Sequence, residues 1–346
     1  MITNLAELFQ TILIALIMTL SLSPVMIWAS KRYGLVDRPG SAEHKQHAAA
    51  TPVAGGLVFG VALGAGILIA PFEWSLPIKG ILSSTYLLIV IGLIDDAINL
   101  KPLYKLVGQI FAATLVVLSG VQVHVTLVNW IDLLITFVWL VGITNAFNFV
   151  DSMDGLAVGL GGIISAYFML VTIDASQPDY AILSAIVLGI MIGAFLYTSP
   201  PARMFLGDSG SQSIGIVLAS IGVAYTPGQA GLPQGSTWFI PILALIVPIF
   251  DMVVVVSSRI RRGKPVYRAD NDHIFHRLVA LGIHPSRAVA TMHVSSILAG
   301  LVAFIALGMT VIAANLIFGC VLLLGIGLLI FLERQYMLQG KQVDKQ

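Results

Sequence analysis

The sequence predicts an all-α, polytopic integral membrane protein, and three observations carry that reading. Apolar residues make up 58% of the 346 and charged residues only 10%, and mean hydropathy is +0.95, a composition no soluble domain of this length tolerates on its surface. The apolar residues fall in runs close to the roughly 20 residues that a membrane-spanning helix needs. The basic residues gather in alternate connections between those runs.

Eleven runs are long enough to consider as spans, at 5–28, 53–71, 80–94, 106–120, 131–147, 156–173, 180–197, 211–226, 237–256, 287–310 and 313–332. The first follows an acidic leader, MITNLAE, is longer than a signal-peptide core and is followed by no small-residue cleavage pattern, so it is expected to be retained. Threading eleven spans places Lys31, Arg32, Lys45, Lys101, Lys105, Arg203 and the cluster Arg259, Arg261, Arg262, Lys264, Arg268 on one face, and Lys79 alone on the other. By the positive-inside rule the amino terminus is expected outside and the carboxyl terminus in the cytoplasm. Connections such as PFEWSLP after Ala70 and DASQPD after Ile173 are short, Pro- or Ser-bearing, and read as external turns. No repeat, low-complexity tract or soluble segment intervenes, so residues 1–346 are expected to form a single membrane domain. The pairs Gly60 with Gly64, Gly155 with Gly159 and Gly189 with Gly193 predict close helix packing. A lone cysteine, Cys320, excludes an intramolecular disulfide.

Polar residues collect in three knots at the cytoplasmic ends of apolar runs, and carboxylates there need a cation, a partner or water. Asp95 and Asp96 end the third run, at a helix C-terminus that disfavours anions, so a lysine or a divalent metal is expected to compensate them. Lys101 and Lys105 are the nearest positive charges in sequence. In the second knot Asn145, Asn148, Asp151 and Asp154 recur at intervals of three and predict a polar stripe along one helix. Such hard oxygen donors suit Mg²⁺, though amides also serve as interhelical glue. In the third knot, FLGDSG from Phe205, Gly207 and Gly210 permit a tight turn with open backbone N–H groups, and Asp208 and Ser209 could cap the helix that follows.

A cytoplasmic loop adds Arg261, Arg262, Lys264, Arg268, Asp270, Asp272, His273, His276 and Arg277. His273 and His276 follow a candidate N-cap, Asp272, and are expected to share a face at an anion-attracting helix start. Neither HExxH nor paired cysteines are present, which argues against zinc, and the lack of a Walker A or GxGxxG sequence excludes a P-loop or dinucleotide fold. The residues together describe a metal- and phosphate-binding site at the cytoplasmic face with an apolar floor. Phosphorylated lipids and nucleotide diphosphates are its natural ligands.

These motifs then become recognisable. GLVDRPGSAEHKQHAAATPVAGG from Gly34, LIDDAINL from Leu93, NAFNFVDSMDGLAVG from Asn145, ARMFLGDSGS from Ala202 and PIFDMVVVVSSRIRRGKPVYRADNDHIFHRL from Pro248, in this order, resemble the polyprenyl-phosphate N-acetylhexosamine-1-phosphate transferases over about residues 34–282. The chain is more similar to the bacterial undecaprenyl-phosphate GlcNAc-1-phosphate transferases than to the phospho-N-acetylmuramoyl-pentapeptide transferases, which carry a run of three histidines absent here.

The resemblance implies transfer of a sugar 1-phosphate, most simply GlcNAc 1-phosphate, from a UDP-N-acetylhexosamine to undecaprenyl phosphate, releasing UMP. That is the first membrane step of a cell-envelope polysaccharide, in the bacterial inner membrane. It also implies Mg²⁺ as cofactor, with Mn²⁺ as a substitute, membrane lipids but no nucleic acid as partners, and room for a homodimer. Residue by residue, it implies Asp208 and Asn148 as metal ligands, and catalytic roles for Asp95, Asp96, Asp208 and His273. Substrate contacts are implied for Lys45, Asn145, Asn148, Asp151, Asp154, Phe205, Arg261 and His276, with Phe205 beside the uracil. Two departures stand out: related enzymes commonly read His-x-His-His where this chain has His273-Ile274-Phe275-His276, and Ser152 stands where glycine is common. The first weakens assignment of the acetamido sugar.

Direct attack by the lipid phosphate is the expected chemistry, since a phosphate monoester is largely dianionic at neutral pH and needs charge neutralisation more than a base. A covalent aspartyl-phosphate route is the alternative. The rival from another class is a secondary transporter, whose carboxylates lie near mid-membrane instead of at one surface. A CDP-alcohol phosphotransferase lacks support, because its long aspartate pattern is absent. A lipid-binding receptor is a further alternative.

Overall fold

The computed structural model describes residues 5–37, 50–71, 73–126, 128–225, 238–266 and 272–343, with side chains to residue 338. The elements are α1 (Leu5–Tyr33), β1 (Val36–Asp37), β2 (Thr51–Pro52), α2 (Gly55–Ile69), α3 (Leu76–Ile98), α4 (Pro102–Leu118), α5 (Asn129–Val150), α6 (Leu156–Asp174), α7 (Pro178–Thr198), α8 (Gly207–Ala224), α9 (Ile240–Ala244), α10 (Ile246–Arg261), α11 (Ile274–Ala280), α12 (Pro285–Leu307) and α13 (Val311–Val343). The protein is all-α apart from the two-residue pair β1–β2, which is antiparallel.

Each of the eleven apolar runs falls on helix. Among the described residues seven helices, α1, α3, α5, α6, α7, α12 and α13, are long and apolar enough to cross a membrane. The protein is a multi-pass membrane protein. α2 and α4 are apolar but shorter, at 15 and 17 residues. The run 237–256 differs from expectation in being two helices, α9 and α10, joined at Leu245. Pro248 explains the break: it has no N–H to give the Ala244 carbonyl, and its ring crowds that carbonyl. The chain resets, with Leu245 N–H donating to the Pro241 carbonyl and Ile249 N–H to the Leu245 carbonyl.

The chain divides into two compact units, Met1–Leu232 and Pro233–Gln346. In the first, α8 is the central element, packed by α3, α5 and α2, while α7 joins α6 and α1. Every residue of α8 from Ser209 to Gly222 is buried. Small residues let the backbones touch: a Cβ on Gly215 would lie 2.7 Å from Thr144 Cα of α5. Gly189 and Gly193 of α7 face α1 as expected, where a Cβ would meet Ala15 Cβ and Thr19 Cβ, each at 2.8 Å. Gly155 precedes α6 in the left-handed conformation (φ 73°) and also lies close to the end of α7, where a Cβ would come within 3.3 Å of Ser199 Oγ.

In the second unit α12 is packed by α9, α10, α11 and α13. Leu298, Leu301, Ile305, Leu322, Leu323 and Leu324 of α12 and α13 are exposed, as suits side chains with a hydrocarbon solvent.

Candidate active site

The site in the first unit is built around the start of α8. The strand-like segment before it is tied to the end of the first connection: Phe205 N–H donates to the Pro52 carbonyl at 2.9 Å, and the Phe205 carbonyl accepts from Gly55 N–H at 3.0 Å. Gly207 then turns the chain with φ 73°, a conformation that glycine adopts at least cost. A side chain there would also run into Val53 and the Asp96 carboxylate.

A helix start leaves backbone N–H groups without partners, and here the partner comes from α3. Asp96 Oδ1 accepts Asp208 N–H at 2.8 Å, and Asp96 Oδ2 accepts Ser209 N–H at 3.2 Å and the Ser209 hydroxyl at 2.6 Å. This corrects two expectations. Asp208 and Ser209 do not cap α8, because a carboxylate from outside the helix does so, and their backbone N–H groups are engaged, not open. Gly92 allows the approach, since a Cβ there would strike the Ser209 backbone.

With Asp208 N–H fixed, its carboxylate faces the remaining polar groups. Lys105 Nζ pairs with Asp208 Oδ2 and, at 2.9 Å, with Asp95 Oδ2. Asp95 Oδ1 accepts Leu100 N–H at 2.6 Å. Lys105 is therefore the cation at the end of α3. Adjacent residues on a helix point about 100° apart, which is why Asp95 turns to Lys105 while Asp96 turns to α8.

Asp208 Oδ1 accepts from Asn148 Nδ2 at 2.9 Å, and Gln212 Nε2 lies 3.3 Å from Asp208 Oδ2. Behind them Gln109 Nε2 donates to Gln212 Oε1 at 3.1 Å and to Asn145 Oδ1 at 3.2 Å, and Asn145 Nδ2 returns a bond to Gln109 Oε1 at 2.7 Å. An amide ladder thus runs from α4 through α5 and α8 to Asp208.

The expected stripe of four polar residues stops after Asn148, because α5 ends at Val150. Asp151 is its C-cap, with N–H donating to the Phe147 carbonyl at 3.2 Å. Asp154 lies in the turn that follows, where its Oδ2 accepts Ala202 N–H at 3.3 Å. Burial, with the charges of Asp208, Asp96 and Asp154, pushes the Asp151 carboxyl well above the usual carboxylate range.

Among the described residues no three His, Cys, Asp or Glu side chains form a ready metal cage. Mg²⁺ takes one or two protein carboxylates and completes its shell with phosphate and water. Asp208 supplies a hard carboxylate, Asn148 meets it through Nδ2 at 2.9 Å and has an amide oxygen as a second hard donor, and the charges of Asp208, Asp96 and Asp154 acting on Asp151 mark a surplus of negative charge. The residues fit the ion.

The second unit holds the histidine segment. His273, not Asp272, is the N-cap residue of α11, and His276 sits in its first turn, with ring centroids 6.0 Å apart. Asp251 of α10 grips this start: Oδ2 lies 2.8 Å from His273 Nδ1, and Oδ1 accepts Ile274 N–H at 2.8 Å. The expected anion-attracting helix start is thus already met by a carboxylate of the chain. Asp272 is taken instead by Arg262, by Arg259 at 3.6 Å and by the Tyr336 hydroxyl at 3.2 Å. Arg261 is exposed and reaches Glu333 at 3.4 Å. Phe275, in place of a histidine, is buried and packs edge-on to His276. Lys45 lies outside the described residues.

Sequence reasoning passed over Gln109, Ser211, Gln212 and Asp251. Gln109, Gln212 and Asp251 carried a usable signal, as amides or a carboxylate inside apolar runs, where polar groups are expensive and tend to serve function.

Comparison with known proteins gives consistent matches. The family described as Glycosyl transferase family 4 matches residues 78–226. The chain is 29% identical to a probable undecaprenyl-phosphate N-acetylglucosaminyl 1-phosphate transferase of Bacillus subtilis, over 81% of this chain and 80% of that one. It is 30% identical to the decaprenyl-phosphate N-acetylglucosaminephosphotransferase of Mycolicibacterium smegmatis, over 79% and 75%. It is 31% identical to the phospho-N-acetylmuramoyl-pentapeptide-transferase of Limosilactobacillus reuteri, over 76% and 86%. With the polar cluster at the head of α8 falling inside the matched residues, the chain belongs to the glycosyl transferase family 4 enzymes, the polyprenyl-phosphate N-acetylhexosamine-1-phosphate transferases.

Proposed function

We propose that this protein transfers N-acetylglucosamine 1-phosphate from UDP-GlcNAc to undecaprenyl phosphate and releases UMP, at the cytoplasmic face of a bacterial inner membrane. We place eleven helices across that membrane, with the amino terminus outside. The observation that carries the reading is the Asp208 carboxylate, held at the head of α8 by Asp96, Lys105 and Asn148.

Two polyanions must meet for this reaction, so the site has to neutralise charge. Asp208 and Asn148 are the residues that would hold Mg²⁺. When bound, the ion neutralises diphosphate charge and favours departure of UMP. Lys105 brings a fixed ammonium to the same carboxylate and serves the incoming lipid phosphate. Asp154, which accepts Ala202 N–H, and Phe205, at the end of the 202–205 segment that leads into α8, are assigned to the nucleotide. Asp151 adds a carboxyl whose ionised form is costly until a cation arrives.

The hydrogen bonding of the two adjacent aspartates favours direct attack over a covalent aspartyl route. Both oxygens of Asp96 are engaged by α8, and both oxygens of Asp95 by Leu100 and Lys105. Each aspartate thereby positions a neighbour, and the lipid phosphate, already mostly dianionic, needs no base.

The test is purified protein in detergent, offered a panel of radiolabelled UDP-N-acetylhexosamines with undecaprenyl phosphate and Mg²⁺. The expected result is a labelled lipid diphosphate sugar and stoichiometric UMP with UDP-GlcNAc. Efficient transfer only from another UDP-sugar would overturn the sugar assignment, and transfer from none would overturn the reaction.

A further inference from the structure

Three amides stand behind Asp208, and two of them, Gln109 of α4 and Gln212 of α8, are only 2% and 0% exposed, a placement that is costly unless their polar atoms are bonded. The third, Asn145 of α5, ties them to the backbone. We propose that Gln109 and Gln212 are positioning residues for the metal site: Gln109, acting through Gln212, fixes the Asp208 carboxylate in the orientation that receives the divalent cation. This rests on the proposed function, through the assignment of Asp208 to Mg²⁺. All four side chains belong to the first unit.

The backbone sets the direction of the chain of amides. A carbonyl only accepts, so Asn145 must turn its nitrogen to the Val141 carbonyl, to which Nδ2 donates at 2.8 Å. The other Asn145 N–H meets Gln109 Oε1 at 2.7 Å, which leaves Gln109 Nε2 to donate to Asn145 Oδ1 at 3.2 Å and to Gln212 Oε1 at 3.1 Å. With its oxygen held there, Gln212 turns Nε2 to Asp208, 3.3 Å from Oδ2. Three side chains thus deliver a donor to one oxygen of Asp208, and Asn148 delivers another to Oδ1 at 2.9 Å. Metal-ligating carboxylates are oriented by hydrogen bonds of this kind. A Gln109 that served only to pack α4 would act instead through Lys105, one turn earlier on the same helix.

Gln109→Met and Gln212→Met remove the amides while keeping an unbranched side chain of similar length. Binding of Mn²⁺, the paramagnetic stand-in for Mg²⁺, is read without turnover, from the loss of the free-ion electron paramagnetic resonance signal on titrating purified protein in detergent. Each variant should bind Mn²⁺ on the order of 10- to 100-fold more weakly than wild type, the size of loss that follows when a hydrogen-bond partner of a metal ligand is removed. The Mg²⁺ concentration giving half-maximal turnover should rise by a similar factor, and saturating Mg²⁺ should restore most of the turnover.

In Gln212→Met protein, adding Gln109→Met should weaken Mn²⁺ binding less than about 2-fold further, because the side chain it works through is gone. Wild-type Mn²⁺ affinity in either single variant would overturn the inference, and where Gln109→Met does not yield folded protein, Gln212→Met alone decides. Equal losses from Gln109→Met in both backgrounds would also overturn it, by routing the effect through Lys105 or the fold. Mn²⁺ binding that survives in Asp208→Asn would overturn the metal assignment and this inference with it. A wild-type protein that binds Mn²⁺ through Asp208 yet transfers nothing overturns the proposed function instead.

Discussion

Replacing Asp96 by asparagine tests whether its carboxylate acts on substrate or on α8. Wild-type Asp96 accepts three hydrogen bonds from Asp208 and Ser209. Asparagine keeps one acceptor oxygen, for Asp208 N–H, and turns an NH₂ toward Ser209 N–H. The Ser209 hydroxyl can rotate to accept from it. One bond to a charged acceptor is lost and the others become neutral, and at about 1.5–3 kcal/mol per charged bond the net cost is roughly 2–4 kcal/mol. For a chain of this size that corresponds to a melting temperature lower by roughly 3–6 °C. Asp95→Asn should melt closer to wild type, since its carbonyl can keep Leu100 N–H. The assay is thermal unfolding in detergent alongside turnover over a Mg²⁺ titration. Turnover should fall together with stability, because a loosened α8 start displaces Asp208. An Asp96→Asn protein that melts like wild type yet makes no product would refute the argument and move Asp96 to the reacting groups.

Four further outcomes are expected. Asp208→Asn should abolish turnover while leaving the solubilised protein monodisperse, and wild-type activity at saturating Mg²⁺ would remove Asp208 from the metal site. Gly92→Ala should damage both stability and turnover, because its Cβ meets the Ser209 backbone, which has no side-chain slack to yield; a variant that melts and works like wild type would contradict that approach. In EDTA, Asp151→Asn should gain stability over wild type as pH rises. The raised carboxyl favours its neutral form in the fold, so wild type loses stability from roughly pH 4, the unfolded value, upward through the folded value. A pH-independent difference in melting temperature would argue against this. Lastly, rigorously delipidated enzyme given UDP-GlcNAc alone should release no stoichiometric UMP, whereas a burst equal to enzyme concentration would reveal a phosphoryl-sugar intermediate.

Helical content and the location of the helices were legible in the sequence because apolar run length is a direct consequence of bilayer thickness. The break at Leu245 was legible too, in Pro241 and Pro248, but run length alone overlooks where a carbonyl loses its donor. The polar knots marked Asp95, Asp96, Asn148 and Asp208 as belonging together. What they did not reveal was the division of labour between Asp95 and Asp96, which depends on how α3 is rotated against α8. That rotation is set by Gly92 and its contact with Ser209, a long-range fact with no local sequence signature. Lys105 could be named only as one of two nearby lysines, and α4's entry angle selects it. The stripe through Asp154 failed for a local reason, since α5 ends at Val150 with Asp151 as its C-cap and Asp154 falls in the turn before α6.

The burial of α8 has a consequence for how the protein is made. On the proposed threading this helix crosses the bilayer, yet it carries Asp208, Ser209, Ser211, Gln212, Ser213 and Ser220, and it is not among the helices apolar enough to cross on their own merits. Left alone in lipid, Asp208, Ser209 and Gln212 would lose their partners on α3, α4 and α5, a state costing on the order of a few kcal/mol in a single segment. Its partners α3, α4 and α5 all precede it in the chain, so they are already synthesised when α8 leaves the ribosome. Insertion of α8 therefore depends on a groove prepared by earlier helices. A lesion at Gly92 or Asp96 should accordingly appear first as a biogenesis defect, with a cysteine introduced into α8 left accessible to aqueous thiol reagents, before any catalytic deficit can be measured.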